Sequence, residues 1–170
     1  DLQPGVTVSF TSLAGSTTDV RRDRMLALAV PAGTPPSSFL PAGPFRAVMA
    51  TELTVPLRTD VTFSFEGNGT AELSVNGRVV LTESGNRLGA KSGAAVTLVQ
   101  GANQISLAYT SPPTGDSVVR LIWAAKDFGP EPLPPALLKT DAAALPLRTA
   151  DRIRAPTDST AVRMKAPEVR

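Results

Sequence analysis

The chain has 170 residues, enough for one domain of ordinary size with extensions, and it contains neither cysteine nor histidine. Those two absences exclude disulfides, thiolate metal sites, covalent haem attachment, cysteine nucleophiles and the imidazole base that usually activates a serine. Formal net charge is +2, unevenly spread: residues 1–138 carry 10 Lys and Arg against 11 Asp and Glu, whereas residues 139–170 carry 7 against 4.

The chain begins at Asp1 rather than Met, so a removed secretory signal is expected, which implies a location outside the cytoplasm, in the periplasm or at the cell surface. The apolar run "MLALAVPA" at 25–32 is broken by Pro31, well short of a bilayer span, so no transmembrane segment is expected and any membrane association would be peripheral.

In chain order, "VTVSF" at 6–10 and "MLALAV" at 25–30 read as the first strands. The polar stretch between them reads as a connection, with Arg21, Arg22 and Arg24 beside Asp19 and Asp23 forming a solvated loop rather than an anion site. Residues 31–44 hold five prolines, which forbid a central strand and predict an extended arm along a sheet surface, anchored by Phe39 and Leu40.

From 45 to 125 one β-branched or aromatic run follows another, each bounded by Gly, Pro, Asn or Asp, at the spacing of a sandwich rather than of βαβ units. The expected fold is all-β, an antiparallel β-sandwich. Period-two alternation nominates Phe63, Phe65, Leu73, Val75, Ile105, Leu107, Tyr109, Val119, Leu121 and Trp123 for the core, with the single Trp packing inside rather than serving as a sugar platform. Gly67-Asn68-Gly69 and Asn76-Gly77 supply left-handed backbone, so residues 64–81 read as two consecutive hairpins. The three expected parts are N-terminal strands with a proline-rich arm (1–44), the sandwich core (45–138) and an extended basic tail (139–170).

Residues 128–138 look like a second proline-rich strap, and residues 139–170 show no sustained helical or strand period. A segment of that composition gains order by contact with another surface, either a partner or its own domain. Its isolated apolar side chains Leu145, Leu147, Ile153, Val162 and Met164 are candidate anchors for a partner protein, and Arg148, Arg152, Arg154, Arg163 and Arg170 are candidate donors to its carboxylates or phosphates. With no aromatic for stacking and no dense basic run, nucleic acid is not an expected partner.

From Phe45 to Leu138 the order of features resembles the PA14-type β-sandwich module. The residues that carry the resemblance are Val61-Thr62-Phe63, the hairpin "LSVNGR" from Leu73 to Arg78, the segment "LVQGANQISLAY" from Leu98 to Tyr109, and the closing Leu121 to Trp123. The stretches "MLALAVPAGTPPSSFLPAGPFRA" and "DFGPEPLPP" look most like a narrower version found in exported bacterial proteins that also carry c-type cytochrome segments. CxxCH is missing here, so that resemblance implies a c-type cytochrome only as a partner chain, and no cofactor of this chain's own.

In ligand-binding members of the family, adjacent aspartates at the tip before the hairpin hold calcium, which in turn grips sugar hydroxyls. Aligning on Leu73 to Arg78 puts Asn68-Gly69 where that pair would sit, and one carboxamide replaces two charges poorly. Glu66, Asn68 and Glu72 are the ligand candidates left at this tip; both glutamates fall on the solvent face of the alternation, and no metal site is expected. Asn68-Gly69-Thr70 also matches the N-glycosylation acceptor pattern, which matters only in a eukaryotic secretory chain.

Catalysis is not expected. Lys91-Ser92 lies in a glycine-bounded loop, and the acidic pairs Glu66 with Glu72 and Asp116 with Asp127 follow no motif. The leading expectation is a non-catalytic structural or interaction subunit of an extracytoplasmic multi-protein assembly, in company that the resemblance implies to be an electron-transfer, cytochrome-containing or photosynthetic complex. The alternative is a cell-surface carbohydrate-binding module.

Overall fold

Alternation of apolar and polar residues sets the architecture. In a computed structural model that describes residues 1–90 and 92–141, these residues form twelve strands and one 3-10 turn, Pro135–Leu137. The strands are β1 (Leu2–Pro4), β2 (Val6–Ser12), β3 (Thr18–Asp23), β4 (Ala27–Val30), β5 (Phe45–Val55), β6 (Thr59–Val75), β7 (Arg78–Leu88), β8 (Ala94–Leu98), β9 (Gly101–Thr110), β10 (Ser117–Ala125), β11 (Phe128–Pro132) and β12 (Leu138–Asp141).

All pairings are antiparallel, and they make two layers. The front layer runs β3–β2–β5–β9 and continues through the second half of β6 to β7, with β12 following β2 along the same edge of β5 and β1 outside β12. The back layer sets β4 and β11 on one side of β10, the first half of β6 on its other side, and β8 beyond that. Inward side chains of both layers close one core in which Phe10, Phe45, Phe63, Phe65, Leu73, Leu107, Tyr109 and Leu121 are essentially inaccessible, and every core candidate from the alternation is buried.

Strand β6 belongs to both layers, and this corrects the reading of residues 64–81 as two hairpins. A hairpin at Gly67-Asn68-Gly69 would pair its own flanks, whereas Phe65 pairs with Leu121 of β10 and Ala71 with Tyr109 of β9. The glycines bend a continuous strand from one layer to the other: Gly67 has φ +124° and Gly69 φ +90°, and the register with β7 shifts between them. Space also demands glycine, since a Cβ at Gly67 would lie 1.9 Å from the Val118 carbonyl oxygen. The second turn is a hairpin as expected, with Val75 opposite Arg78 across Asn76 (φ 51°) and Gly77 (φ 81°).

One further segment differs from expectation. The polar stretch with the arginines is no loop: β3 pairs with β2 along its whole length, and Arg21 stacks 4.8 Å over the Phe10 ring while bonding Asp23. An edge strand needs backbone pairing, not an alternating pattern, so period two is missing there. "TESGNRL" is strand to Leu88, where buried Glu83 accepts the Gly89 N–H at 2.8 Å.

In the arm, Leu40 is buried but Phe39 is exposed, so one of the two expected anchors holds it. Trp123 is buried, tilted on Phe128 with ring centroids 5.0 Å apart, and its Nε1 has no hydrogen-bond partner among the described residues. At the far end, Leu138 and Lys139 pair with Leu53 and Glu52, and Thr140 bonds the Thr7 hydroxyl, which carries the sheet to Asp141.

Candidate functional site

The bend of β6 places Asn68 beside the start of β10, and there both ends of its carboxamide are engaged. Nδ2 donates to the Asp116 carbonyl oxygen at 2.9 Å, while Oδ1 accepts from the Val118 N–H at 3.0 Å and the Tyr109 hydroxyl at 3.3 Å. The carboxamide therefore serves as a clamp within the fold, with both of its polar atoms engaged. Burial pushes the Tyr109 phenol up to about 12, opposed by hydrogen bonding to Ser117 and the Val118 backbone.

The other two tip candidates point elsewhere. Glu66 is exposed and paired with Arg120, whose Nε donates at 3.0 Å, and Glu72 is exposed on the far side of the bend. Glu66, Asn68 and Glu72 thus do not gather around one point. No group of three or more acids able to hold a metal occurs among the described residues. Asp116 and Asp127 flank opposite ends of β10, and Lys91 lies outside the described residues. So do the partner-binding candidates Leu145, Leu147, Arg148, Arg152, Ile153, Arg154, Val162, Arg163, Met164 and Arg170. Among the described residues no helix is long and apolar enough to cross a membrane.

A better-built feature lies next to the Asn68 clamp, where the proline-rich arm meets the loop joining β9 to β10. The Asp116 carboxylate accepts the Ala32 N–H at 2.8 Å. Phe45 N–H donates to the Ser111 hydroxyl at 3.0 Å, and Ser111 N–H returns a bond to the Phe45 carbonyl at 3.0 Å. Thr34 N–H closes a turn on the Pro31 carbonyl at 3.1 Å. These bonds hold two proline-rich loops against each other around an open pocket of about 150 Å³, lined by Pro31, Gly33, Thr34, Pro44, Pro112, Pro113, Thr114 and Gly115 among others.

Proline rings offer rigid C–H faces, and the threonine hydroxyls with the loop backbone offer donors and acceptors beside them. This combination suits a small, neutral, hydroxylated ligand better than an ion. Sequence reasoning missed the pocket. Its contacts join positions as far apart as Ala32 and Asp116, and the only local signal was turn chemistry in "SPPTGD".

No family model matches the chain, and no curated protein does. Solved structures do resemble it. The PA14 domain of the antifreeze protein MpAFP matches with a TM-score of 0.67 at 12% identity, covering 82% of this chain and 92% of that one. The PA14 sugar-binding domain from an RTX adhesin matches at 0.61 and 12% identity, covering 76% and 94%. An anti-sigma factor domain-containing protein from Clostridium clariflavum matches at 0.69 and 15% identity; the match covers 80% of this chain, which spans about half of that structure, 47%. The fold of this chain is therefore a PA14-like antiparallel β-sandwich.

Proposed function

We propose that this chain is a non-catalytic binding module that works outside the cytoplasm and takes a carbohydrate in the pocket between the proline-rich arm and the β9–β10 loop. The observation that carries the reading is the pinned pocket itself, whose loops are tied by the Asp116–Ala32 and Ser111–Phe45 bonds. A preformed site spends little binding free energy on ordering its loops. At about 150 Å³ the pocket is smaller than the ~300 Å³ of common small-molecule sites, so it suits one terminal sugar ring. Support also comes from the RTX adhesin domain, which shares the fold and is a sugar-binding domain.

Binding by this route needs no calcium, because the Asn68 carboxamide is engaged by Asp116, Val118 and Tyr109 and no acidic pair stands at the bend. Calorimetric titration of the full chain with a panel of neutral mono- and disaccharides, run in chelator, tests the reading. At least one sugar should bind, and Thr34→Ala with Thr114→Ala should weaken it by ~10-fold, the loss of about 1.4 kcal/mol. Binding that requires calcium, or that ignores both substitutions, refutes the reading.

A second role, docking within an extracytoplasmic multi-protein assembly, is supported by the basic composition of residues 139–170 and their isolated anchors from Leu145 to Met164. Electron-transfer company, with a c-type cytochrome as the partner, rests on the sequence resemblance alone. The two roles use different parts of the chain.

A further inference from the structure

Most strand edges of this sandwich carry a device that blocks pairing with another chain. Charged residues fill β3 (Asp19, Arg21, Arg22, Asp23), prolines interrupt β11 (Pro130, Pro132), and β1 has only three residues and ends at Pro4. Strand β7 carries Arg78, Glu83 and Arg87, and four-residue β4 runs into Pro31. Strand β8 differs. Its sequence, Ala94-Ala95-Val96-Thr97-Leu98, has no charge, no proline and no glycine, and it pairs with β6 on one side only. Among the described residues no backbone group pairs with its other side.

The free side of β8 opens onto a groove of about 490 Å³ lined by Val75, Asn76, Arg78, Val80, Ala95, Val96 and Thr97. The groove lies between the β8 edge of the back layer and the start of β7 in the front layer. Val80 and Val96 are half-buried there, and Val79 and Val99, both flanking positions, are more than half exposed. N–H and C=O groups left unpaired among the described residues, beside a groove where the valines Val75, Val80 and Val96 alternate with the polar Asn76, Arg78 and Thr97, suit strand addition, in which main-chain bonds hold the guest and alternate side chains fill the groove. Arg78 at the groove has no carboxylate partner among the described residues.

We propose that the free edge of β8 is a strand-addition site for an extended segment of a partner protein, with alternate β-branched residues facing Val80 and Val96 and an acidic residue at Arg78. Arg78 also decides against a second copy of this chain, because pairing two β8 edges about a two-fold would bring two guanidinium groups to one groove. The surface shares no residue with the sugar pocket, and it lies toward the opposite end of β9, where Ile105 pairs with Val75. Its test is therefore independent of the carbohydrate reading.

The experiment uses the full chain and the end-blocked peptide Glu-Val-Thr-Val-Thr-Val, followed by amide chemical shifts and hydrogen exchange. Binding should shift the amides of Ala95, Val96 and Thr97, and it should protect every second amide of β8, those whose N–H groups point away from β6. It should vanish when alternate peptide nitrogens are methylated and weaken by ~10-fold when Lys replaces the peptide's Glu. With Arg78→Glu the order of the two peptides should reverse, which a merely destabilised chain would not produce. Absence of any shift, indifference to methylation, or an unchanged order in Arg78→Glu overturns the proposal. Concentration-dependent dimerisation that protects the same amides without peptide also overturns it, by making a second copy the occupant.

Discussion

Asn68 and Asp116 are joined by a 2.9 Å hydrogen bond from the Asn68 Nδ2 to the Asp116 carbonyl oxygen, and Asp116 in turn holds the Ala32 amide through its carboxylate. The bend of β6, the β9–β10 loop and the proline-rich arm are therefore one connected unit. Asn68→Ala removes a donor and an acceptor and leaves the Val118 N–H without its side-chain partner, so it should cost about 1–3 kcal/mol in denaturant unfolding. Asn68→Asp should not rescue it, because a carboxylate cannot donate to the Asp116 carbonyl. If both variants unfold like the parent, the clamp is ornamental to stability.

Two glycines with positive φ should respond very differently to alanine. At Gly67 a Cβ would collide with the Val118 carbonyl at 1.9 Å, so Gly67→Ala must break the β6–β10 pairing or push the backbone aside. At Gly77 a Cβ meets nothing within 4 Å, and the cost is the φ of +81° alone, about 1–2 kcal/mol. Thermal melts of the two variants, with Gly67→Ala several-fold more destabilised or insoluble, check this.

Trp123 tests the core reading against the sugar-platform one. It is buried against Phe128, so Trp123→Ala should destabilise by about 3–5 kcal/mol. Trp123→Phe should cost less, because it also removes an Nε1 that has no partner among the described residues. Unfolding by denaturant measures both; an unperturbed Trp123→Ala chain would put the indole at the surface.

Tyr109 gives the fold an alkaline limit. Its phenol is raised from 10.0 to about 12, first of all by burial. The folded state thus holds the proton more tightly than the unfolded state. The resulting stability is fully present below pH 10 and is lost as pH rises toward about 12. Denaturant midpoints across that window should fall for the parent and fall less for Tyr109→Phe, which has no proton to lose.

Much of the sandwich was legible because buried strands must alternate. Phe63, Phe65, Leu73 and Val75 share one inward face of β6, and all four are buried. The bend at Gly67-Asn68-Gly69 was not legible, since glycines with positive φ reverse a chain in a hairpin and merely redirect it in a corner strand. What decides between them is the non-local partner, β10 for Phe65 and β9 for Ala71. Strand β3 escaped for a related reason: its face is covered by Arg21 lying on Phe10 rather than by apolar side chains of its own. Asn68 was noticed as a poor calcium ligand from its side-chain chemistry, but its clamp on Asp116 and the pocket beside it depend on contacts that sequence spacing does not encode.

The most direct test of the account is amide chemical-shift mapping of the full chain, titrated with the tightest-binding neutral sugar in the presence of chelator. The expected result is saturable movement of Gly33, Thr34, Thr114 and Gly115, at the rim of the pocket, with Ala95 to Thr97 on β8 unmoved. Shifts that appear only with added calcium, that centre on Glu66 and Glu72, or that no sugar produces would contradict it.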